Sequence, residues 1–234
     1  GRLGVRVILV DPAPLPTIKD LQPDGRTAAL MQDSLNVLRS LGVWQKCEDI
    51  SAPLKILRII DDKDRSHPDP LKVDFKAEEI SMNAFGYNIP IQALRAHLAA
   101  ALQSERTVNF IQDSVKDIDF GKQSAAVTLA EGAKIAAKLV VGADGRNSVV
   151  RGLAGINIWE RDYGQSAITC LLSHSKSHEN ISTEFHRPSG PFTLVPMPNN
   201  QSSLVWVDKT EEIKEHRAMS KHALLHASQD RCRD

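Results

Sequence analysis

The sequence has little cysteine. Cys47, Cys170 and Cys232 are far apart, odd in number and without CxxC spacing. That excludes a disulfide scaffold and a zinc ribbon, and it fits a reducing compartment. An excess of either charge is also missing. Lys plus Arg total 29, Asp plus Glu total 29, and the formal net charge is zero, so no bulk field favours a nucleic-acid partner. Long apolar runs are absent: the longest are strand-sized, such as 135–141 with Lys138 inside it, against ~20 residues for a membrane span. The chain opens on Gly1 with no signal-peptide pattern, and a cytoplasmic setting is expected. What remains is ordinary globular composition, 41% hydrophobic and 25% charged, over 234 residues. That length suits one large domain or two small ones.

Val5, Val7, Ile8, Leu9 and Val10 form a β-branched run that predicts a strand buried on both faces. It ends at Asp11, ahead of Pro12, Pro14 and Pro16, which cannot continue a sheet. Residues 1–4 read as the tail of a helix stopped at Gly4. Met31, Leu35, Leu38 and Leu41 predict a helix over 27–41, closed by Gly42. Strands are expected at 54–60 and around Val73 and Phe75, with a polar loop at 61–70 between them. Pro90 opens a second helix with Ile91, Leu94, Leu98 and Leu102 on one face. Residues 108–111 and 125–129 read as strands, with a turn at Glu131-Gly132, and 135–141 as another buried strand that shares a sheet with 5–10. Beyond Gly155 the pattern becomes alternating: strands at 166–172, 181–187, 191–196 and 203–207 suggest an antiparallel sheet. A charged helix is expected over 211–231.

Asp11 stands where a strand ends. In dinucleotide-binding βαβ units an acid there accepts hydrogen bonds from ribose hydroxyls, with a Gly-rich phosphate loop roughly 20 residues upstream. Here that position precedes Gly1. The competing reading is an Asx turn before proline. The stronger signal is Gly142-Ala-Asp-Gly-Arg-Asn-Ser-Val-Val-Arg151. It places a tight Asp-Gly turn after a strand and a short helix from Ser148, where α/β sheets bind ligands. Arg146 and Arg151 could meet phosphates bidentately. The His174/His178 and His222/His226 pairs have helical metal-ligand spacing but no third ligand nearby, so no metal is expected. Ser148 lacks a GxSxG setting, which argues against a hydrolase nucleophile.

The 142–151 stretch resembles the GADGxxSxVR fingerprint of the class A flavoprotein aromatic hydroxylases, with every fixed position present. Gly25-Arg-Thr-Ala-Ala-Leu30, Phe85-Gly-Tyr-Asn-Ile-Pro-Ile-Gln-Ala-Leu94, and Gly190-Pro-Phe-Thr-Leu-Val-Pro-Met-Pro198 with Ser203-Leu-Val-Trp-Val207 are similar to the ubiquinone-biosynthesis (UbiH/VisC) branch. The resemblance implies an α/β fold: a Rossmann-like FAD-binding domain of the para-hydroxybenzoate-hydroxylase type with an antiparallel substrate-domain sheet. It also implies incompleteness at both ends, since the GxGxxG loop and the family's third, Gly-Asp fingerprint are missing. Residues 1–155 would form the FAD-binding domain, with 54–86 an excursion into the substrate domain, and 156–234 the substrate sheet and its following helix.

The same resemblance implies FAD and NAD(P)H as cofactors and O₂ as co-substrate, with hydroxyl delivered to an electron-rich, possibly polyprenylated phenol of ubiquinone synthesis. Peripheral contact with a membrane or a ubiquinone-biosynthesis complex is left open. Asp11, Arg26, Gln92, Asp144, Gly145 and Arg146 would hold the cofactor. Phe192, Leu194, Pro196 and Trp206 would wall the substrate cavity, with core packing the competing role for each. No protein nucleophile is required. The alternatives are a reductase or halogenase of the same fold, or a truncated chain without catalysis. The 234 residues alone are expected to hold FAD poorly and not to turn over.

Overall fold

A computed structural model describes residues 3–21, 24–61 and 70–232. Its strands are β1 Val7–Val10, β2 Thr27–Met31, β3 Ala52–Leu54, β4 Ile56–Asp61, β5 Leu71–Lys76, β6 Gly86–Pro90, β7 Val108–Ile111, β8 Val115–Phe120, β9 Ala125–Leu129, β10 Lys134–Ala137, β11 Gln165–Ser173, β12 Ile181–His186, β13 Phe192–Met197 and β14 Gln201–Lys209. Its α-helices are α1 Gln32–Ser40, α2 Trp44–Cys47, α3 Ile91–Gln103, α4 Val149–Leu153, α5 Thr210–Ala218 and α6 Lys221–Arg231. The chain packs as two compact units, Gly1–Pro16 with Ala99–Arg161, and Thr17–Leu98 with Asp162–Asp234. Residues 17–53 and 87–98, expected with the dinucleotide-binding part, therefore pack with the large sheet. This spatial division differs from the sequence division at 155.

In the first unit β1 and β7 pair in parallel, Val7 opposite Val108 through Val10 opposite Ile111. Strands β8, β9 and β10 form an antiparallel meander with β9 in the centre. Ile118, Ala125, Val127 and Leu129 form its core, and Val10, Ile111, Ile135, Val140, Val150 and Leu153 pack against them. Strand β8 was not foreseen, because Lys116, Asp117 and Asp119 break up its apolar pattern.

In the second unit six strands run in the order β11-β14-β13-β12-β4-β5. All neighbours are antiparallel except β12 and β4. Strands β4 and β5, from the segment 54–86, complete this sheet. Ile60, Phe185, Phe192, Leu204, Trp206 and Ile213 form its core, with Leu224 and Ala227 of α6 and Cys232 just after it packed on it. Arg231 lies 4.3 Å over the Trp206 ring and pairs with Asp208 at 3.1 Å, tying the end of α6 to β14. Burial pushes the Asp208 carboxyl up. The Lys209 backbone N–H and Arg231 outweigh it, with help from Ser189 and Trp206, and leave the group below its usual range. A separate three-stranded sheet runs β2-β6-β3.

Four expectations need correction. The run at 5–10 is strand only over Val7–Val10, and Val7 and Ile8 are exposed because, among the described residues, nothing packs on both of its faces. Residues 27–31 are strand, not helix. Their alanines favour a helix locally, but antiparallel bonding to β6 from Thr27–Pro90 to Met31–Gly86 overrides propensity. Gly86 permits the approach: a Cβ there would lie 2.2 Å from the Leu30 carbonyl oxygen. The expected buried strand at 135–141 stops at Ala137, in the meander and not beside β1. Beyond it Val140 joins the core while Leu139 and Val141 are 77% and 73% exposed. The expected helix at 211–231 is two helices, broken at Met219, whose ψ of 154° is extended, and restarted by Ser220, whose hydroxyl caps the Ala223 N–H. The helix tail expected at 1–4 lies partly outside the described residues, and Gly4 sits in a left-handed turn (φ 79°). Residues 62–69 of the expected polar loop also lie outside them.

Candidate functional site: an Asp-Arg-Gln cluster and an Asp-Gly turn

Gly25 fixes the candidate site of the second unit. Its φ is 75°, a conformation that glycine adopts without a Cβ penalty. A Cβ there would meet the Cys170 backbone of β11 at 3.0 Å, so the segment lies flat against that strand. The Ser203 hydroxyl of β14 donates to the Gly25 carbonyl at 3.5 Å. Burial pushes the Cys170 thiol up, which keeps it unreactive.

This clamp projects Asp24 and Arg26 from a fixed backbone. Asp24 Oδ2 accepts from Arg26 Nε at 2.8 Å and Nη2 at 2.6 Å. The same oxygen accepts from Gln92 Nε2 at 2.8 Å, across 68 residues. Asp24 Oδ1 takes the Arg26 backbone N–H at 3.0 Å. The Arg26 carbonyl in turn accepts the N–H of Ile91, the first residue of α3. Hydrogen bonds from the Arg26 and Gln92 side chains pull the Asp24 carboxyl down to about 2, and the same pairing pushes Arg26 up. Asp24 is therefore a carboxylate, an acceptor only, at any working pH. The Arg26 side chain stays 56% exposed, and among the described residues its Nη1 edge carries no hydrogen bond.

In the first unit Asp11 follows β1. Its Oδ1 accepts the Ala13 N–H at 2.8 Å, so the Asx turn forms at the same position as the ribose-type acid. Asp144 lies in the Asp-Gly turn, where Gly145 has φ 86°. Asp144 accepts from the Ser148 hydroxyl at 2.5 Å and from the Val150 N–H at 3.1 Å. These two donors hold its carboxyl below the ordinary carboxylate range. Ser148 caps α4 by accepting the Arg151 N–H at 3.0 Å, which gives it a structural role. Arg151 donates to the Arg146 carbonyl at 3.0 Å, closing the turn. The Arg146 side chain is exposed.

The expected substrate wall looks different. Phe192, Pro196 and Trp206 are each less than 2% exposed. Phe192 and Trp206 stack edge to face at 5.5 Å inside the sheet's core. Only Leu194 is half-buried. The four share one face because they occupy alternate or paired positions of β13 and β14. The Pro196 carbonyl accepts from the buried Asn88 amide at 3.0 Å. His174 and His178 have their ring nitrogens engaged with Lys176, Ser202, Met197 and Asn180.

The structure joins the expected residues Arg26 and Gln92 through Asp24, which the sequence reading did not single out. The available signal was its place in Asp-Gly-Arg, one turn position before a glycine that the backbone requires. Each unit offers groups that suit FAD: in the second a fixed guanidinium edge can meet an oxyanion, and in the first the carboxylate of Asp11, just after β1, can meet hydroxyls.

The chain is 32% identical over 216 residues to the ubiquinone hydroxylase UbiL of Rhodospirillum rubrum, covering 89% of this chain and 47% of that protein. It is 30% identical over 228 residues to the 3-demethoxyubiquinol 3-hydroxylase of Escherichia coli, covering 93% and 55%. The chain therefore spans about half the length of these curated relatives. The solved structure of PqsL from Pseudomonas aeruginosa superposes with a TM-score of 0.76 at 21% identity, covering 96% of this chain and 59% of that one. That likeness establishes the fold. The sequence profile described as "FAD binding domain" matches residues 1–228, and the chain belongs to that FAD-binding family.

Proposed function

We propose that the protein carrying this chain is an FAD-dependent monooxygenase that hydroxylates an aromatic ring, a ubiquinone-precursor phenol, using NAD(P)H and O₂. The observation that carries the reading is the Arg26 guanidinium. It is held by Asp24, beside Gln92, with an exposed donor edge, at the position to which the resemblance to the aromatic hydroxylases assigns a flavin contact. The identity with two ubiquinone-ring hydroxylases supports the substrate class. FAD supplies the redox chemistry of oxygen insertion. The chain's own residues bind and orient. Asp11 would accept from ribose hydroxyls, Arg26 and Gln92 would hold the flavin, and Asp144 would keep the Gly145-Arg146 turn in shape. We assign 1–155 to cofactor binding in sequence terms, with 54–86 contributing strands to the substrate sheet. Of the four expected wall residues, Leu194 alone has surface to offer a ligand. A polyprenyl tail on the phenol would favour peripheral contact with a membrane or with other enzymes of the same synthesis. Among the described residues no helix is long and apolar enough to cross a membrane.

The test is product analysis. Protein expressed from the complete coding sequence is loaded with FAD and given NADH or NADPH, a short-chain demethoxyubiquinol and ¹⁸O₂. The reading expects a product heavier by one labelled oxygen. Reductant consumption with no labelled product would favour a reductase. Failure to take up FAD would favour a non-catalytic chain.

A further inference from the structure

We infer that Asp24 is a positioning residue for cofactor binding: one carboxylate sets the Arg26 guanidinium and the Gln92 amide side by side and decides which edge of each is left for a ligand. The inference rests on the proposed flavin site and adds a residue to it.

The argument is one of hydrogen-bond supply. Arg26 has five N–H donors in a rigid plane. Asp24 Oδ2 engages the Nε–H and one Nη2 hydrogen. The Nη1 edge and the outer Nη2 hydrogen point away from the carboxylate, a paired edge suited to an oxyanion such as a phosphate. A carboxylate cannot donate, so Gln92 must present its NH₂ to Asp24. Its Oε1 is then left as an acceptor for a hydroxyl or N–H. A ligand that offers an oxyanion beside a donor matches this pair, as the phosphate and ribityl hydroxyls of FAD do.

Stability does not account for the arrangement. Asp24 and Arg26 side chains are 30% and 56% exposed, and exposed ion pairs contribute little to folding. What the carboxylate supplies is order. It converts two long, rotamer-rich side chains from different parts of the sequence into a fixed surface, which reduces the entropy lost on binding. The Asp24 backbone is itself set by the Gly25 clamp on β11.

The experiment is a thermodynamic cycle on protein from the complete coding sequence. FAD dissociation constants are measured by flavin fluorescence for wild type, Asp24→Ala, Asp24→Glu, the double variant Arg26→Ala/Gln92→Ala, and the triple variant. Melting of each apoprotein is measured alongside, and the Arg26 Nε–H is followed by ¹⁵N NMR without FAD. We expect Asp24→Ala to weaken FAD about tenfold, with apoprotein melting unchanged and the Nε–H signal moved toward that of a solvated arginine. Asp24→Glu should recover part of the affinity. Asp24→Ala should cost less than about twofold in the Arg26→Ala/Gln92→Ala background, because Asp24 acts only through those two residues. An Asp24→Ala protein that binds FAD as wild type does, or a tenfold loss that persists in the double-variant background, overturns the inference while leaving the flavin reading intact. A wild-type protein that takes up no FAD overturns both.

Discussion

The large sheet and the β1–β7 pair treat the same kind of residue in opposite ways. On the sheet, Phe192, Leu204 and Trp206 are fully enclosed by neighbouring strands and by α5 and α6. On the pair, Val7 and Ile8 are 37% and 45% exposed, although their β-branched run reads as a strand covered on both faces. Both segments have strand sequences; they differ in what packs on them. A run of valines and isoleucines specifies extended backbone, whereas its burial depends on the faces that other elements supply.

The largest expected effect lies on the enclosed side. Trp206→Ala should destabilise the second unit by about 3–5 kcal/mol, since the indole is fully buried and Arg231, Phe192 and His216 all pack on it. Urea unfolding followed by near-UV circular dichroism measures this, and a loss below about 1 kcal/mol would mean that the core closes without the indole. Next is Gly86→Ala. The added methyl would lie 2.2 Å from the Leu30 carbonyl oxygen, so β2 and β6 must separate. A cost of about 1–3 kcal/mol is expected, with loss of amide protection at Leu30 in hydrogen exchange. Unchanged protection there would break the β2–β6 register. The smallest effect belongs to the open side. Leu139→Gln should change stability by no more than about 0.5 kcal/mol, because the side chain is 77% exposed. A larger loss would show that this face is covered in the protein and would narrow the contrast.

The same contrast explains what could be read from the sequence. The strands β11 to β14 were legible because each face has one environment, so alternation in the sequence mirrors alternation in space. The strand at 135–141 was misread because continuous apolar character was taken for burial on both faces, while Val140 turns inward between exposed neighbours. Residues 27–31 were misread because alanine favours helix and nothing local reveals that β6 will bond to them. In the candidate sites, what was legible is backbone shape fixed by a motif, as at Asp144-Gly145 in the first unit and Gly25-Arg26 in the second. What was illegible is a contact between residues far apart along the chain. The bond from Gln92 to Asp24 spans 68 residues, and no periodicity encodes it. Phe192 and Trp206 show the converse: residues in the right strands for a substrate wall can be used up by packing.

We propose that Arg26, held by Asp24, is a flavin contact. Titrating FAD into protein from the complete coding sequence, as wild type, Arg26→Ala and Lys122→Ala, tests it most directly. Lys122 is exposed in the turn between β8 and β9 and removes a charge of the same sign. A charge-assisted contact contributes about 1.5–3 kcal/mol. Arg26→Ala should therefore raise the dissociation constant by roughly 10- to 100-fold, with Lys122→Ala within about twofold of wild type. Equal dissociation constants for the two variants would contradict the account.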